Sequence, residues 1–190
     1  REPFIPNGAP GEPGSGCIYP SSVVPHADVL RIYSSASQGE HAQLRNDPAS
    51  RQSAITLHEM RKDGFIYLEP PGGTGEFTTK WMLWDRGELS INVSAPHGEL
   101  LVQVMDAYNE PLEGYSYEEC APFTGDSQSW SPRWRDGRGM AALRGRIVRL
   151  GVRLANGRIY AMRGEFEFKT MCEAHLYMRT GVRPPSRPGF

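Results

Sequence analysis

The sequence predicts a nearly all-β protein in which residues 61–179 form one antiparallel β-sandwich of jelly-roll type. Short apolar runs recur at intervals after Asp63-Gly64, and Gly, Pro, Asn and Asp separate them. Within the runs, apolar residues alternate with polar ones, as in strands that bury one face. Short alternating strands at such intervals are typical of a sandwich or a barrel.

Eight strands are predicted in this region: 65–69, 74–84, 88–95, 98–106, 127–134, 146–155, 158–168 and 172–178. Three alternating sets mark buried faces: Leu89, Ile91 and Val93; Leu100, Val102 and Val104; and Val148, Leu150, Val152 and Leu154. Asn156-Gly157 predicts a tight hairpin between 146–155 and 158–168, because a type I′ turn needs positive φ at both central residues.

The chain before this region is less regular. Residues 1–25 are rich in Pro and Gly, which excludes helix and leaves extended or turn structure. Strands are predicted at 29–33 and 54–60, with a long loop between them. The predicted organisation is therefore a segment 1–60, a sandwich domain 61–179 and an extended C-terminal tail 180–190.

Composition excludes some partners. The 190 residues carry a formal net charge of -1, so no global field attracts nucleic acid or an anionic membrane. The sequence contains no run of about 18 apolar residues, so membrane insertion is not predicted. The start at Arg1, without methionine, predicts a processed polypeptide or part of a longer one.

The cysteines and one sequon favour a secreted, extracellular protein. The odd number of cysteines allows one internal disulfide at most, for which Cys120 and Cys172 are the candidates because both lie in the predicted sandwich. The third, Cys17, would then be free or cross-linked to another copy. Asn92-Val93-Ser94 satisfies the rule for N-glycosylation at Asn92.

Sequence motifs predict neither a catalytic site nor a cofactor. A serine nucleophile elbow, a phosphate-binding glycine loop and a helical pair of zinc-binding histidines are all absent. Asp126, between Gly125 and Ser127, is a weak candidate for a structural calcium ion, but an Asx-type turn is favoured.

The four tryptophans are candidates for carbohydrate binding, because indole rings stack on the apolar faces of sugars, although core packing is the alternative. Trp81 and Trp84 are three residues apart and predict opposite faces of a strand, whereas Trp130 and Trp134 predict the same face.

A basic strip is also predicted, along the outward faces of 146–155 and 158–168. Arg149, Arg153 and Arg163 would form it and could bind acidic glycans, but a merely solvated strand face is favoured.

Several stretches resemble the five-bladed β-propeller glycoside hydrolases related to the invertase and β-fructosidase group. REPFIPNGAPGEPGSGCIYPSS at 1–22 and LRIYSSASQGEH at 30–41 resemble a late propeller blade. MRKDGFIYLEP at 60–70 is similar to the exit into a C-terminal β-sandwich. The residues at 100–137 and 143–162 are similar to that sandwich.

The resemblance implies that residues 1–60 form a partial blade or an extended arm. The catalytic carboxylates of that family would lie before Arg1, so this chain alone is not expected to be an enzyme. Arg1, Tyr19, Tyr33 and His41 match positions in substrate-facing loops, and are candidates for carbohydrate contacts.

Three functions follow as alternatives. The first is a non-catalytic extracellular carbohydrate-binding or scaffold protein. The second is the C-terminal portion of a glycoside hydrolase whose catalytic blades lie upstream or on another chain. The third is a matrix or coat assembly protein, cross-linked through the odd cysteine. The corresponding partners are a glycan, an upstream propeller fragment or a homo-oligomer.

Overall fold

A computed structural model describes residues 3–40 and 53–185 of the chain. Most of its regular structure is β, and the strands form antiparallel sheets. The chain divides into two compact units, residues 1–64 and 65–190. The all-β class predicted from the sequence is therefore confirmed.

The first unit is a three-stranded antiparallel sheet of β1 (Cys17–His26), β2 (Val29–Ser37) and β3 (Ser53–Arg61), in that spatial order. The predicted strands 29–33 and 54–60 lie within β2 and β3. Strand β1 contains Pro20 and Pro25, and proline is tolerated there because β1 is an edge strand.

The two faces of this small sheet differ in burial. On one face, Ile32, Ser34 and Ala36 are almost completely buried. The opposite face carries exposed apolar side chains: Tyr19, Val24, Ile55 and Leu57.

The second unit has five strands and one α-helix: β4 (Thr74–Thr78), β5 (Trp81–Met105), β6 (Phe123–Trp130), β7 (Ile147–Ala155), β8 (Arg158–Lys169) and α1 (Met171–Thr180). Short 3₁₀ turns lie at Tyr117–Glu119, Arg135–Gly137 and Met140–Leu143.

Strand β5 connects most of the second unit. Its first part pairs with β8, from Trp81 opposite Lys169 to Ser94 opposite Arg158, and its middle pairs with β6. Its last part pairs with β7, and residue numbers fall along β7 as they rise along β5, so these strands are also antiparallel. The sheet curls around β5 into a half-barrel.

The predicted ends of several strands differ from those observed. The segments predicted as separate strands at 88–95 and 98–106, with the end of 74–84, are parts of β5, because the breaks between them are register shifts within one strand. The predicted strand 127–134 lies earlier, as β6. The predicted strand 65–69 forms one isolated bridge, between Leu68 and Ile159.

The hairpin predicted at Asn156-Gly157 is wrong, although both flanking strands exist. Strand β7 has β4 on one edge and β5 on the other, so no edge remains for β8. Asn156 has positive φ (43°), whereas Gly157 does not. A β-carbon at Gly157 would lie 2.7 Å from Cβ of Ala95, so glycine permits close packing here rather than a hairpin turn.

The core fills the inside of the curl. Each of the three alternating sets predicted from the sequence is buried on one strand face, with exposures of 4% or less. The predicted buried faces are therefore confirmed. The core also includes Trp84, Trp134, Met140 and Ile159.

The predicted strand 172–178 is wrong, because these residues form helix α1. Thr170 caps its first turn: the hydroxyl accepts a hydrogen bond from the amide of Glu173, and the Glu173 carboxylate accepts one from the amide of Thr170. Gly181 ends the helix in the left-handed conformation. Ala174 and Tyr177 pack on a second, small core with Leu83 and Ile147.

The described part of the C-terminal tail is held to the sheet. Arg183 lies 3.4 Å from the carboxylate of Asp85 and 2.8 Å from that of Glu167, and Pro184 is buried. Residues 181–185 have no regular secondary structure, and residues 186–190 lie outside the described ranges.

None of the helices in the described ranges is long and apolar enough to cross a membrane.

Gly98 gives a direct test of the packing between β5 and the end of β7. A β-carbon there would overlap the carbonyl oxygen of Ala155, whereas one at Gly72 has nothing within 4 Å. We expect Gly98→Ala to lower the free energy of unfolding by about 3 kcal/mol, and Gly72→Ala to change it by less than about 0.5 kcal/mol. Chemical denaturation measures both, and equal effects would contradict the described approach of the two strands.

Candidate functional site

A shallow cleft of about 230 Å³ lies on the second unit, between residues 68–71 and strands β4 and β7. Its wall is largely apolar and is formed by Leu68, Pro70, Pro71, Phe77 and Leu154. Glu69 and Glu76 are the charged residues of its lining. An apolar wall with a few polar groups is the usual composition of a ligand site.

Each carboxylate belongs to a Tyr–Arg–Glu triad, and the first triad is Tyr117, Arg153 and Glu76. The Tyr117 hydroxyl donates to Oε1 of Glu76 at 2.9 Å, and Nε of Arg153 donates to Oε2 at 3.2 Å. The guanidinium carbon lies 4.1 Å from the centre of the Tyr117 ring. Burial, with the bond to Glu76, raises the pKa of Tyr117 far above its ordinary value.

Gly151 makes room for this triad. A β-carbon at Gly151 would lie 2.7 Å from the Tyr117 hydroxyl oxygen, so the tyrosine lies directly over the backbone of β7. Only 6% of Tyr117 is exposed. Tyr117 is therefore held in a fixed position over β7.

The second triad, Tyr67, Arg158 and Glu69, is more open. Nε of Arg158 lies 3.3 Å from Glu69, and the guanidinium carbon lies 4.6 Å from the centre of the Tyr67 ring. Tyr160 packs edge-on against Tyr67 with ring centres 5.9 Å apart. Tyr67 remains 43% exposed and directly precedes Leu68 of the cleft wall.

The pairing of charges determines which chemistry the cleft can perform. Each carboxylate has a guanidinium partner, so the two pairs add no net charge. Carboxylate oxygens accept hydrogen bonds and guanidinium groups donate them. Beside an apolar wall, these groups suit a neutral ligand that has both a hydrocarbon face and hydroxyl groups.

Two of the predicted sugar-stacking tryptophans are buried in the core. Trp84 is 0% exposed and donates its indole N–H to the carbonyl of Gly87, while Trp134 is 3% exposed and donates to that of Val102. These rings present no face to a ligand. Strand β6 ends at Trp130, so the predicted alternation does not extend to Trp134.

The other two tryptophans are half-buried and do not line the cleft. Trp81 donates to the carbonyl of Ala107 at 3.0 Å and lies under Arg149, whose guanidinium carbon is 4.5 Å from the ring centre. Trp130 packs against Phe123, with ring centres 5.1 Å apart. Stacking on a sugar stays a prediction for these two residues.

The predicted basic strip is largely occupied by protein partners. Arg149 covers Trp81, donates to the carbonyl of Thr79 at 2.8 Å and also contacts Asn109. Arg153 belongs to the Tyr117 triad. Arg163 lies exposed on β8, opposite Ser90.

The candidates taken from the propeller resemblance belong to the first unit. Tyr19 on β1 and Tyr33 on β2 point to the same face of the three-stranded sheet, and Tyr19 is 45% exposed. Arg1 and His41 lie outside the described residues. A carbohydrate contact at any of the four positions stays a prediction.

The predicted glycosylation at Asn92 does not fit the fold. Asn92 is 0% exposed and lies in the middle of β5, opposite Ala161. A glycan on this side chain would require the strand to leave the core.

Asp126, considered for an Asx-type turn or a calcium ion, is an exposed residue of β6, opposite Ser94. Both interpretations of this residue stay predictions. Within residues 3–40 and 53–185, no three or more His, Cys, Asp or Glu residues are grouped so that they could hold a metal ion.

The predicted disulfide between Cys120 and Cys172 is wrong, since all three cysteines are free. Cys120 is buried: its sulfur accepts from the amide of Val102 at 3.4 Å, and burial raises its pKa. Cys172 is exposed on α1, while Cys17 donates to the carbonyl of Gly39 at 3.1 Å.

Sequence reasoning missed the cleft because its residues are distant along the chain. Tyr67 and Glu69 come shortly before β4, Tyr117 lies in a 3₁₀ turn, and Arg153 and Arg158 lie on strands that do not pair with each other. One local signal existed. A glycine at position 151 within an apolar, branched strand indicates that another group approaches the backbone closely.

Comparisons of the chain with protein-family models, with curated proteins and with solved structures gave no match.

Thiol accessibility tests the state of the cysteines. We expect alkylation of the native protein without reductant to modify Cys172 first, because it is exposed, and to leave Cys120 unmodified until unfolding, because burial keeps it protonated and inaccessible. Peptide mass spectrometry assigns each site. Protection of both thiols that disappears on reduction would instead indicate the disulfide.

The two triads differ in their expected contribution to stability. Glu76→Ala removes the acceptor of a buried tyrosine hydroxyl, so we expect it to lower the free energy of unfolding by about 1–3 kcal/mol. Glu69→Ala breaks an exposed ion pair and is the matched control, with a much smaller expected loss. Urea denaturation measures both variants, and an equal or larger loss for Glu69→Ala would contradict the described burial.

Proposed function

We propose that the second unit is a non-catalytic carbohydrate-binding module that holds a neutral sugar in the cleft lined by Glu69 and Glu76. The observation that carries this proposal is the combination of an apolar wall with two carboxylate–guanidinium pairs. A sugar ring presents C–H groups to such a wall and hydroxyl groups to such pairs.

The size and the charge of the cleft limit which ligands it can hold. The cleft, at about 230 Å³, is smaller than the roughly 300–1,000 Å³ of sites for drug-sized ligands, so it suits one sugar unit of a longer glycan. Because Arg158 and Arg153 neutralise Glu69 and Glu76, the cleft favours an uncharged sugar unit. Tyr67, half-exposed beside the cleft, offers a ring face to the sugar.

A second candidate function comes from the propeller resemblance. The stretches at 100–137 and 143–162 resemble the C-terminal sandwich of the invertase and β-fructosidase group. They contain β6, β7, the end of β5 and the beginning of β8. We propose a jelly-roll-type sandwich as the architectural class of the half-barrel on this basis. The chain would then be the accessory portion of a secreted glycosidase.

Binding to neutral oligosaccharides tests the first proposal. We expect the full chain to bind a subset of an array of neutral glycans, and Tyr67→Ala to weaken that binding about tenfold through loss of one ring face. Tyr108→Ala is the matched control, because Tyr108 is 67% exposed but stacks on His175 of α1 instead. Equal effects of the two variants, or no binding to any neutral glycan, would overturn the proposal.

An assay of reducing ends released from the bound glycan distinguishes the binding module from an enzyme. We expect no release by the chain. Release that is lost in both Glu69→Gln and Glu76→Gln would show that the carboxylates are catalytic.

A further inference from the structure

A second polar surface lies on the turn that follows the 3₁₀ segment Met140–Leu143. Arg144 and Arg146 are exposed there, and neither has an ion-pair partner within the described residues. Other arginines of the neighbouring sequence are paired: Arg133 lies 2.8 Å from Glu88, and Arg135 lies 3.5 Å from Glu119. Among the residues that the structure describes, none neutralises the positive charge at this turn.

The backbone of this turn is held in place by hydrogen bonds. Gly145 has positive φ (76°), and its amide donates to the carbonyl of Trp84 at 2.7 Å. The amide of Trp84 donates to the carbonyl of Arg146 at 3.0 Å, and the Tyr177 hydroxyl donates to that of Gly145 at 2.9 Å. A ligand that binds here does not have to order the main chain, which reduces the entropic cost of binding.

Arg138, which precedes the 3₁₀ segment, is already paired with protein groups. Its guanidinium carbon lies 5.6 Å from the centre of the Tyr115 ring, and Nη2 lies 3.5 Å from the largely exposed Asp136. Arg138 and Arg146 both act to lower the pKa of Tyr115, although burial is stronger and raises it. The Tyr115 hydroxyl donates to the carbonyl of Gly139 at 3.2 Å.

We propose that Arg144 and Arg146 bind an oxyanion group of an acidic polysaccharide. Guanidinium groups recognise carboxylate and sulfate through paired N–H donors, and both groups occur on acidic sugars. The basic strip predicted on β7 and β8 is not this site, because protein groups occupy Arg149 and Arg153.

The distribution of acidic residues favours a polysaccharide over a nucleic acid. The segment 106–126 contains no Lys or Arg and six acidic residues: Asp106, Glu110, Glu113, Glu118, Glu119 and Asp126. A polyphosphate needs many closely spaced positive charges, which two arginines on a chain with a formal net charge of -1 do not supply, whereas a glycan with one charge on some of its units needs only one such pair.

The experiment measures binding of the full chain to heparin, which carries sulfate esters, and to polygalacturonate, which carries carboxylates, at about 0.15 M salt. We expect Arg146→Ala to weaken binding about tenfold and Arg146→Lys to recover part of the loss. Arg179→Ala removes the same charge from another exposed arginine without an ion-pair partner in the described part of the chain, and should change binding less than twofold.

Each outcome of this experiment decides the proposal. Loss with heparin alone identifies a sulfate ligand, and loss with polygalacturonate alone identifies a carboxylate ligand. No binding to either polymer, equal effects of Arg146→Ala and Arg179→Ala, or the same dependence on Arg146 with single-stranded DNA would overturn it. The melting temperature of Arg146→Ala should be unchanged, because the hydrogen bonds described for Arg146 are made by its backbone.

This site shares no residue with the cleft. Tyr67→Ala should leave binding to the acidic polymers unchanged, so the failure of one proposal can be distinguished from the failure of the other.

Discussion

The continuous hydrogen-bonded ladder of β5 is the interaction on which the rest of the second unit depends. One strand pairs in turn with β8, β6 and β7, so a single bent backbone links every other strand except β4, which is attached through β7. The curl of this backbone directs Leu89, Ile91 and Val93 toward the same interior as the core residues of β7. The cleft depends on it indirectly, because the position of β7 places both Arg153 and Leu154 beside β4.

Local pattern predicted which residues are buried, and it did so because alternation is a property of each strand by itself. Val148, Leu150 and Val152 are buried whatever strand lies next to them. Pairing is different, since it depends on which edges remain available in the whole sheet. Asn156-Gly157 has the composition of a hairpin turn, yet both edges of β7 are paired, one with β4 and the other with β5.

Helix α1 shows that a signal can be present in the sequence and still be outweighed. Thr170 and Glu173 form a capping box and Gly181 ends the helix, and these residues are visible without a structure. The regular succession of strands before them favoured another strand. The Tyr117 triad had no comparable signal, because Glu76, Tyr117 and Arg153 meet only after the sheet has formed.

The absence of pairing between β7 and β8 also has a consequence for the order in which the chain can fold. Strand β8 does not pair with the strand that precedes it in the chain. It pairs instead with β5, where Trp81 lies opposite Lys169. Strand β4 must likewise wait for β7. Such distant pairings require the closure of long loops before they gain stability, so the second unit belongs to the slow-folding class of β proteins. Until β8 is made and docked, one edge of β5 remains open to pairing with another chain.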